Sequence, residues 1–223
     1  MRWPDGLTAF GLAVAGTVAI VAALRAGAIP GVVANYAAHA WMAVIAVTWF
    51  FLLGRRFPVG GLNAAQLRPW FVVGLILIGV NVVGTIASPP GAGLRLPKPP
   101  TLVVAQLVFL AFIVGPTEEV LFRGLIQTSL NTSIRARVWL RSWPIGLGTV
   151  VAAALFGLFH LINVIYQPLG VTLQQAGTAV VIGLVFGVLY DRTKNLVGAS
   201  LVHSVADFSG TAVPLLAYAL TNH

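Results

Sequence analysis

Apolar stretches about as long as a membrane-crossing helix, roughly 20 residues, follow one another along almost the whole of this sequence. Residues 7–24, 33–53, 70–87, 102–130, 145–165 and 176–190 are candidate spans, and the shorter stretches 196–208 and 212–220 add one or two more. Inside lipid the backbone must satisfy its own hydrogen bonds, which a helix does within a single segment. The expected fold is therefore all-α: a polytopic transmembrane helix bundle of seven or eight spans with an intramembrane polar cavity. Residues 1–223 read as a single integral membrane domain. Only 8% of the residues are charged, and 58% are hydrophobic, whereas a soluble domain carries about 25% charged residues. A water-soluble globule is excluded.

The chain has no Cys, which rules out disulfides and thiolate metal sites. Its formal charge of +8 comes from 13 Lys and Arg against five acids. A nucleic-acid surface gathers its bases on one face. Here they sit singly or in small groups between apolar stretches, as membrane-flanking loops do. The expected partner is the bilayer, with no nucleic acid. Starting inside, the N-terminus and every second loop carry Arg2; Arg55, Arg56 and Arg68; Arg135, Arg137 and Arg141; and Arg192 and Lys194. Nine basic residues thus face in, against Arg25, Arg95 and Lys98 outside, which predicts a cytoplasmic N-terminus. The first stretch, about 18 residues, exceeds the 7–15 of a signal-peptide core, so it reads as a retained helix. The small size hints at a prokaryotic cell membrane.

Several local features carry further expectations. The 88–100 segment, with five prolines, reads as an extended outer loop, and Gly115-Pro116 predicts a kink in the fourth span. Residues 134–140 alternate Arg with Ile, Val, Trp and Leu, as a segment lying along the inner interface does. Asn131-Thr132-Ser133 fits a glycosylation sequon on the cytoplasmic side and reads as chance. Gly183 and Gly187 form a GxxxG, a close-packing feature that hints weakly at dimerisation; the sequence leaves the oligomeric state open.

Three of the five acids, Glu118, Glu119 and Asp207, fall inside apolar segments, together with His160 and His203. Each charged group near a helix centre carries an insertion cost of roughly 2.5–3.5 kcal/mol on translocon scales, so such residues face the bundle interior and mark a relay, a pathway or a reactive site. Glu118 and Glu119 point about 100° apart on a helix and cannot share one role. Arg123 follows Glu119 by four residues, the favourable order for an ion pair, which leaves Glu118 to face a cavity as a general base. Phe156 and His160 share a helix face, as do His203 and Asp207, where the carboxylate can orient the imidazole. A Glu with a His can activate water, and a second His can donate to a developing oxyanion. On straight helices, Glu118 lies on the cytoplasmic side of its midpoint and His160 beyond its own midpoint toward the outside. Convergence then requires tilt, the kink or other boundaries. His39 has no acidic sequence neighbour and reads as a packed or interfacial histidine.

The run from Glu118 to Arg123 reads EExxxR, Phe156 to His160 reads FxxxH, and His203 to Asp207 reads HxxxD. In this order, on successive membrane segments, they resemble the CPBP family, which groups type II CAAX prenyl proteases with Abi-type bacteriocin-processing and immunity proteins. The resemblance covers roughly residues 101–210. It implies a glutamate-dependent intramembrane endopeptidase acting on a membrane-associated or lipid-anchored peptide or protein. By that resemblance Glu118 and His160 activate the attacking water, Glu119 and Arg123 support them, and His203 with Asp207 stabilise the oxyanion. The family often carries Asn at the last position. An ionised Asp cannot donate a hydrogen bond, so Asp207 either acts protonated or keeps His203 charged while His203 donates alone.

No cofactor is expected. A zinc-dependent membrane protease is the minority alternative, since two His and a Glu form a plausible ligand set, although the HExxH spacing is missing. A non-catalytic immunity or peptide-binding membrane protein is a further alternative, and a proton-coupled transporter ranks below it because no broken helices recur in two halves.

Overall fold

The computed structural model describes residues 3–29, 31–52, 58–88, 100–140, 142–165 and 167–221. Residues 89–99 of the proline-rich loop and six of the basic residues counted for orientation (Arg2, Arg55, Arg56, Arg95, Lys98 and Arg141) lie outside them. Among the described residues nine α-helices run α1 (Trp3–Arg25), α2 (Gly31–Leu52), α3 (Ala64–Ala87), α4 (Pro100–Phe109), α5 (Gly115–Glu119), α6 (Thr128–Ser133), α7 (Leu147–His160), α8 (Leu169–Thr193) and α9 (Leu196–Thr221). Helices α4 to α6 form one continuous rod, joined by π-helical turns at Leu110–Val114 and Val120–Gln127. Six segments are long and apolar enough to cross a membrane: Asp5–Arg25, Ala64–Ala87, Thr101–Ser133, Leu147–Ile165, Leu169–Thr193 and Leu196–Leu220. Helix α2, 22 residues long and containing the shorter apolar stretch Tyr36–Leu52, is counted as the seventh. Large apolar side chains such as Phe51, Phe71, Phe112 and Val181 point outward while Glu119 and Arg123 are fully buried. This is the inverse of a water-soluble surface, and the chain is an integral multi-pass membrane protein.

The two short C-terminal stretches are a single helix, so of the seven or eight spans expected the described residues form seven. Ser209 and Gly210 looked like a break. Instead, Asn81 Nδ2 on α3 donates to Ser209 Oγ at 2.8 Å and to the Ala206 carbonyl at 3.0 Å. The polar residues are satisfied by a neighbouring helix, and α9 continues through Pro214. Residues 134–140 were expected to lie along the interface as one segment. They lead into an antiparallel hairpin of β1 (Arg137–Leu140) and β2 (Trp143–Gly146), with Val138 opposite Ile145 and Trp139 opposite Pro144. The fifth span therefore starts at Leu147. Arg192, at the end of α8, lies 4.1 Å from the centre of the Trp143 ring, so the hairpin and the α8–α9 corner share one end of the bundle.

The core has two parts. Ala9, Ala13, Met42 and Ile45 of α1 and α2 pack on Leu121, Phe122, Leu125 and Ile126 of the second π-turn and on Phe156 of α7. The first helix is thus built into the core. Trp70, Phe186, Tyr190, Leu196 and Val202 join α3, α8 and α9. The GxxxG expected to hint at self-association is spent inside the chain. A Cβ on Gly183 would sit 3.1 Å from Phe156, and one on Gly187 would sit 2.7 Å from Thr149 and 2.9 Å from Gln127.

At the α8–α9 corner Lys194 takes a left-handed φ of 50°. Asn195 Oδ1 then accepts from the Gly198 amide at 2.7 Å, and its Nδ2 donates to the Gly61 carbonyl at 2.8 Å. Trp70 Nε1 donates to Thr193 Oγ1 at 3.0 Å and Tyr190 Oη to the Pro58 carbonyl at 2.9 Å. A helix start tied down on this many sides sets the register of α9, and with it the position of His203.

Candidate active site

The fourth span departs from α-helical geometry where its charged residues lie. Pro116 has no N–H to give, and a regular helix through it would lose a bond. The wider turn at Leu110–Val114 absorbs this, so the expected break takes the form of a π-bulge, a feature common at functional sites. Gly115 follows at once, and a Cβ there would lie 2.6 Å from Ser204 Oγ, 2.7 Å from the Ser204 amide and 2.9 Å from the Ser200 carbonyl. Only glycine lets α9 approach this closely. That approach brings His203 against the paired glutamates.

Glu119 Oε2 accepts from Arg123 Nε at 2.9 Å, the pair expected from the spacing, and both side chains are fully buried. Its other oxygen, Oε1, lies 2.8 Å from His203 Nδ1. His203 Nε2 faces Glu118 Oε2 at 3.6 Å and Asp207 Oδ2 at 3.5 Å. The two glutamates were expected to diverge into separate roles, yet both meet one imidazole, because a ring has nitrogens on two sides. A carboxylate oxygen only accepts, so these contacts call for hydrogen on both nitrogens. Nδ1 is held at full hydrogen-bond distance, whereas Nε2 has only long contacts and can donate elsewhere. Asp207 is the most open member, its side chain 31% exposed.

His160 ends α7. Its Nδ1 lies 2.8 Å from the Phe156 carbonyl, which only accepts, so Nδ1 carries the hydrogen and Nε2 is left as the basic nitrogen. The ring stacks edge-on against Phe156 at 4.8 Å, and Phe156 meets His203 at 6.0 Å and lies 5.2 Å from the Arg123 guanidinium carbon. Phe156 is thus the spacer that holds the two imidazoles apart. His160 is in electrostatic range of Glu118 and Asp207 but forms no ion pair with either. Glu118 sits next to the midpoint of the Thr101–Ser133 span, whereas His160 still lies past the middle of Leu147–Ile165.

The structure adds a residue that the sequence reading set aside. His39 Nε2 of α2 lies 3.4 Å from Glu118 Oε1, with side chains 11% and 8% exposed. His39 is packed as expected, edge-on against Phe109, and in addition its Nε2 faces Glu118 more closely than His203 does. The cue was its position, an ionisable group inside an apolar span. The partner lies 79 residues away on another helix, where no spacing rule reaches.

A second polar cluster serves the scaffold. Asp191 accepts from Gln127 Nε2 at 3.0 Å, from Asn131 Nδ2 at 3.1 and 3.2 Å, and from the Thr149 hydroxyl. It ties α6, α7 and α8 together, and it accounts for Asn131 without glycosylation. Asn163 donates to Gln175 Oε1 at 2.8 Å, a link to α8. Among the described residues no group of three or more His, Asp or Glu is arranged to hold a metal ion.

Residues 100–209 match the family model described as type II CAAX prenyl endopeptidase Rce1-like. Over these residues the chain is similar to that family. The Rce1-like segment coincides with the stretch that carries the three motifs and contains all six residues read from them, while His39 precedes it. No curated protein and no solved structure matches the chain. The Rce1-like family is one of CAAX-type proteases, and its match here falls on a membrane-spanning bundle with a buried ionisable cluster at mid-span.

Proposed function

We propose that the chain is a glutamate-dependent intramembrane endopeptidase that hydrolyses a peptide bond of a membrane-associated or lipid-anchored substrate. The observation that carries this reading is the position of Glu118: buried near the middle of its span, with one carboxyl oxygen facing His203 and the other facing His39. In this reading the attacking water lies between Glu118 and His160.

In the first step the water oxygen bonds to the scissile carbonyl carbon while its proton passes to Glu118, with His160 Nε2 accepting a hydrogen bond from the same water. The carbonyl oxygen takes the electron pair and becomes an oxyanion. His203 Nε2–H is the donor for it, its ring oriented from behind by Glu119 and Arg123. Collapse breaks the C–N bond, and the leaving amine takes the proton that Glu118 holds. Asp207, as a carboxylate beside Nε2, keeps that N–H oriented and needs no proton of its own. No metal enters these steps. On the basic-residue count we place the N-terminus in the cytoplasm, with seven spans then putting the C-terminus outside.

The test is cleavage of membrane-anchored peptides, farnesylated and unlipidated, by protein reconstituted in liposomes. Wild type should cut at one bond, and Glu118→Ala and His160→Ala should not. Equal turnover by all three overturns the mechanism. Substrate binding without cleavage by the wild type would favour a peptide-binding protein.

A further inference from the structure

The family-matched residues begin at 100, yet the shortest contact to Glu118 from an imidazole comes from α2. His39 Nε2 and His203 Nε2 each face one oxygen of the same carboxyl group at ion-pair distance, 3.4 and 3.6 Å. A glutamate on a bare rod has several side-chain rotamers to explore. Here its Oε1 edge is met by a ring that is itself held. His39 stacks edge-on against Phe109 at 5.0 Å, and Phe109 also takes Tyr36, the residue one turn before His39, at 4.4 Å. Phe109 is the last residue of α4, directly before the π-bulge that re-aims the rod toward Glu118. The docking of α2 on α4 and the orientation of Glu118 are therefore one piece of geometry.

We propose that His39 is a positioning residue of this site: its Nε2–H holds Oε1 of Glu118, so that the carboxyl group keeps its Oε2 edge toward His203 and the substrate side. The inference deepens the hydrolytic reading and rests on it. It makes the N-terminal helix pair part of the site rather than only its support.

The experiment compares His39→Phe, which keeps a ring against Phe109 but removes the N–H, with His39→Gln, which keeps an N–H donor. Both are assayed on a farnesylated CAAX peptide in liposomes, with thermal melting in detergent alongside. His39→Phe should lower kcat by about 10²-fold at unchanged KM, the scale of a misplaced catalytic group, and His39→Gln should recover most of it. A His39→Phe protein that turns over like wild type, or a His39→Gln protein equally impaired, overturns the proposal. If His39→Phe does not fold, His39→Gln decides alone: retained turnover supports the role and lost turnover removes it. Nitrogen NMR of the labelled histidines reads the contact even where no peptide is cut. Glu118→Gln should shift the His39 resonances, and unmoved His39 signals overturn the proposal. Failure of the parent reading looks different: Glu118→Gln itself would then cleave normally.

Discussion

His203 Nδ1 and Glu119 Oε1 lie 2.8 Å apart, buried, and joined across 84 residues of sequence. Through Glu119 the imidazole is coupled to Arg123, and through its other nitrogen it reaches Glu118 and Asp207. One ring on α9 therefore connects Glu118, Glu119 and Asp207.

Arg123→Ala should destabilise the protein by about 3–5 kcal/mol, because it leaves a buried carboxylate without its cation. Glu119→Ala should do the same from the other side. The double variant should lose far less than the two singles together, since the partners share one interaction. Chemical or thermal unfolding in detergent checks this, and simple additivity would contradict the pair.

Glu118→Gln should leave the melting temperature nearly unchanged while lowering kcat by about 10²–10⁴-fold, the usual range for a general base. The amide keeps the size of the side chain and its contact toward His39. Single-turnover cleavage in liposomes separates this loss from any change in substrate binding.

Gly115→Ala should impair catalysis more than stability. The new Cβ meets the Ser204 amide at 2.7 Å and the Ser200 carbonyl at 2.9 Å, backbone atoms that cannot turn aside. The fold should lose about 1–3 kcal/mol from overpacking. A shift of α9 by even about 1 Å moves His203 and should cut kcat about 10²-fold. Ser204→Ala should not rescue it, because only the hydroxyl contact would be relieved.

Asp207→Asn should keep most of the activity, since the amide can still accept from His203 Nε2 and can also donate to an oxyanion. Asp207→Ala should be slower than either. The kcat values of the three proteins on one peptide order the roles.

Turnover should persist after exhaustive dialysis against a chelator and should not rise on adding zinc. Stoichiometric zinc in an active preparation, lost together with activity, would replace the Glu–water mechanism by a metal one.

Much of the membrane bundle was legible along the chain, because the length and polarity of a span are set by the lipid and leave a local record. The Glu119–Arg123 pair was legible for the same reason: one helical turn relates them. The boundaries were less so. Ser209 and Gly210 look like a break until Asn81 of α3 reaches them, and residues 134–140 give no turn signal strong enough to announce a hairpin.

What the sequence by itself determined is the chemistry confined to each rod: which segments cross, which acid pairs with its own neighbour, and which ionisable groups are too costly in lipid to be accidental. Only the tertiary structure decided which of those groups meet. The contact of His39 with Glu118 and the sharing of His203 by two glutamates depend on how separate helices are turned against each other. That rotation is set by Gly115, by the π-bulge and by the cap at Asn195, and none of these leaves a periodic trace in the residues it brings together.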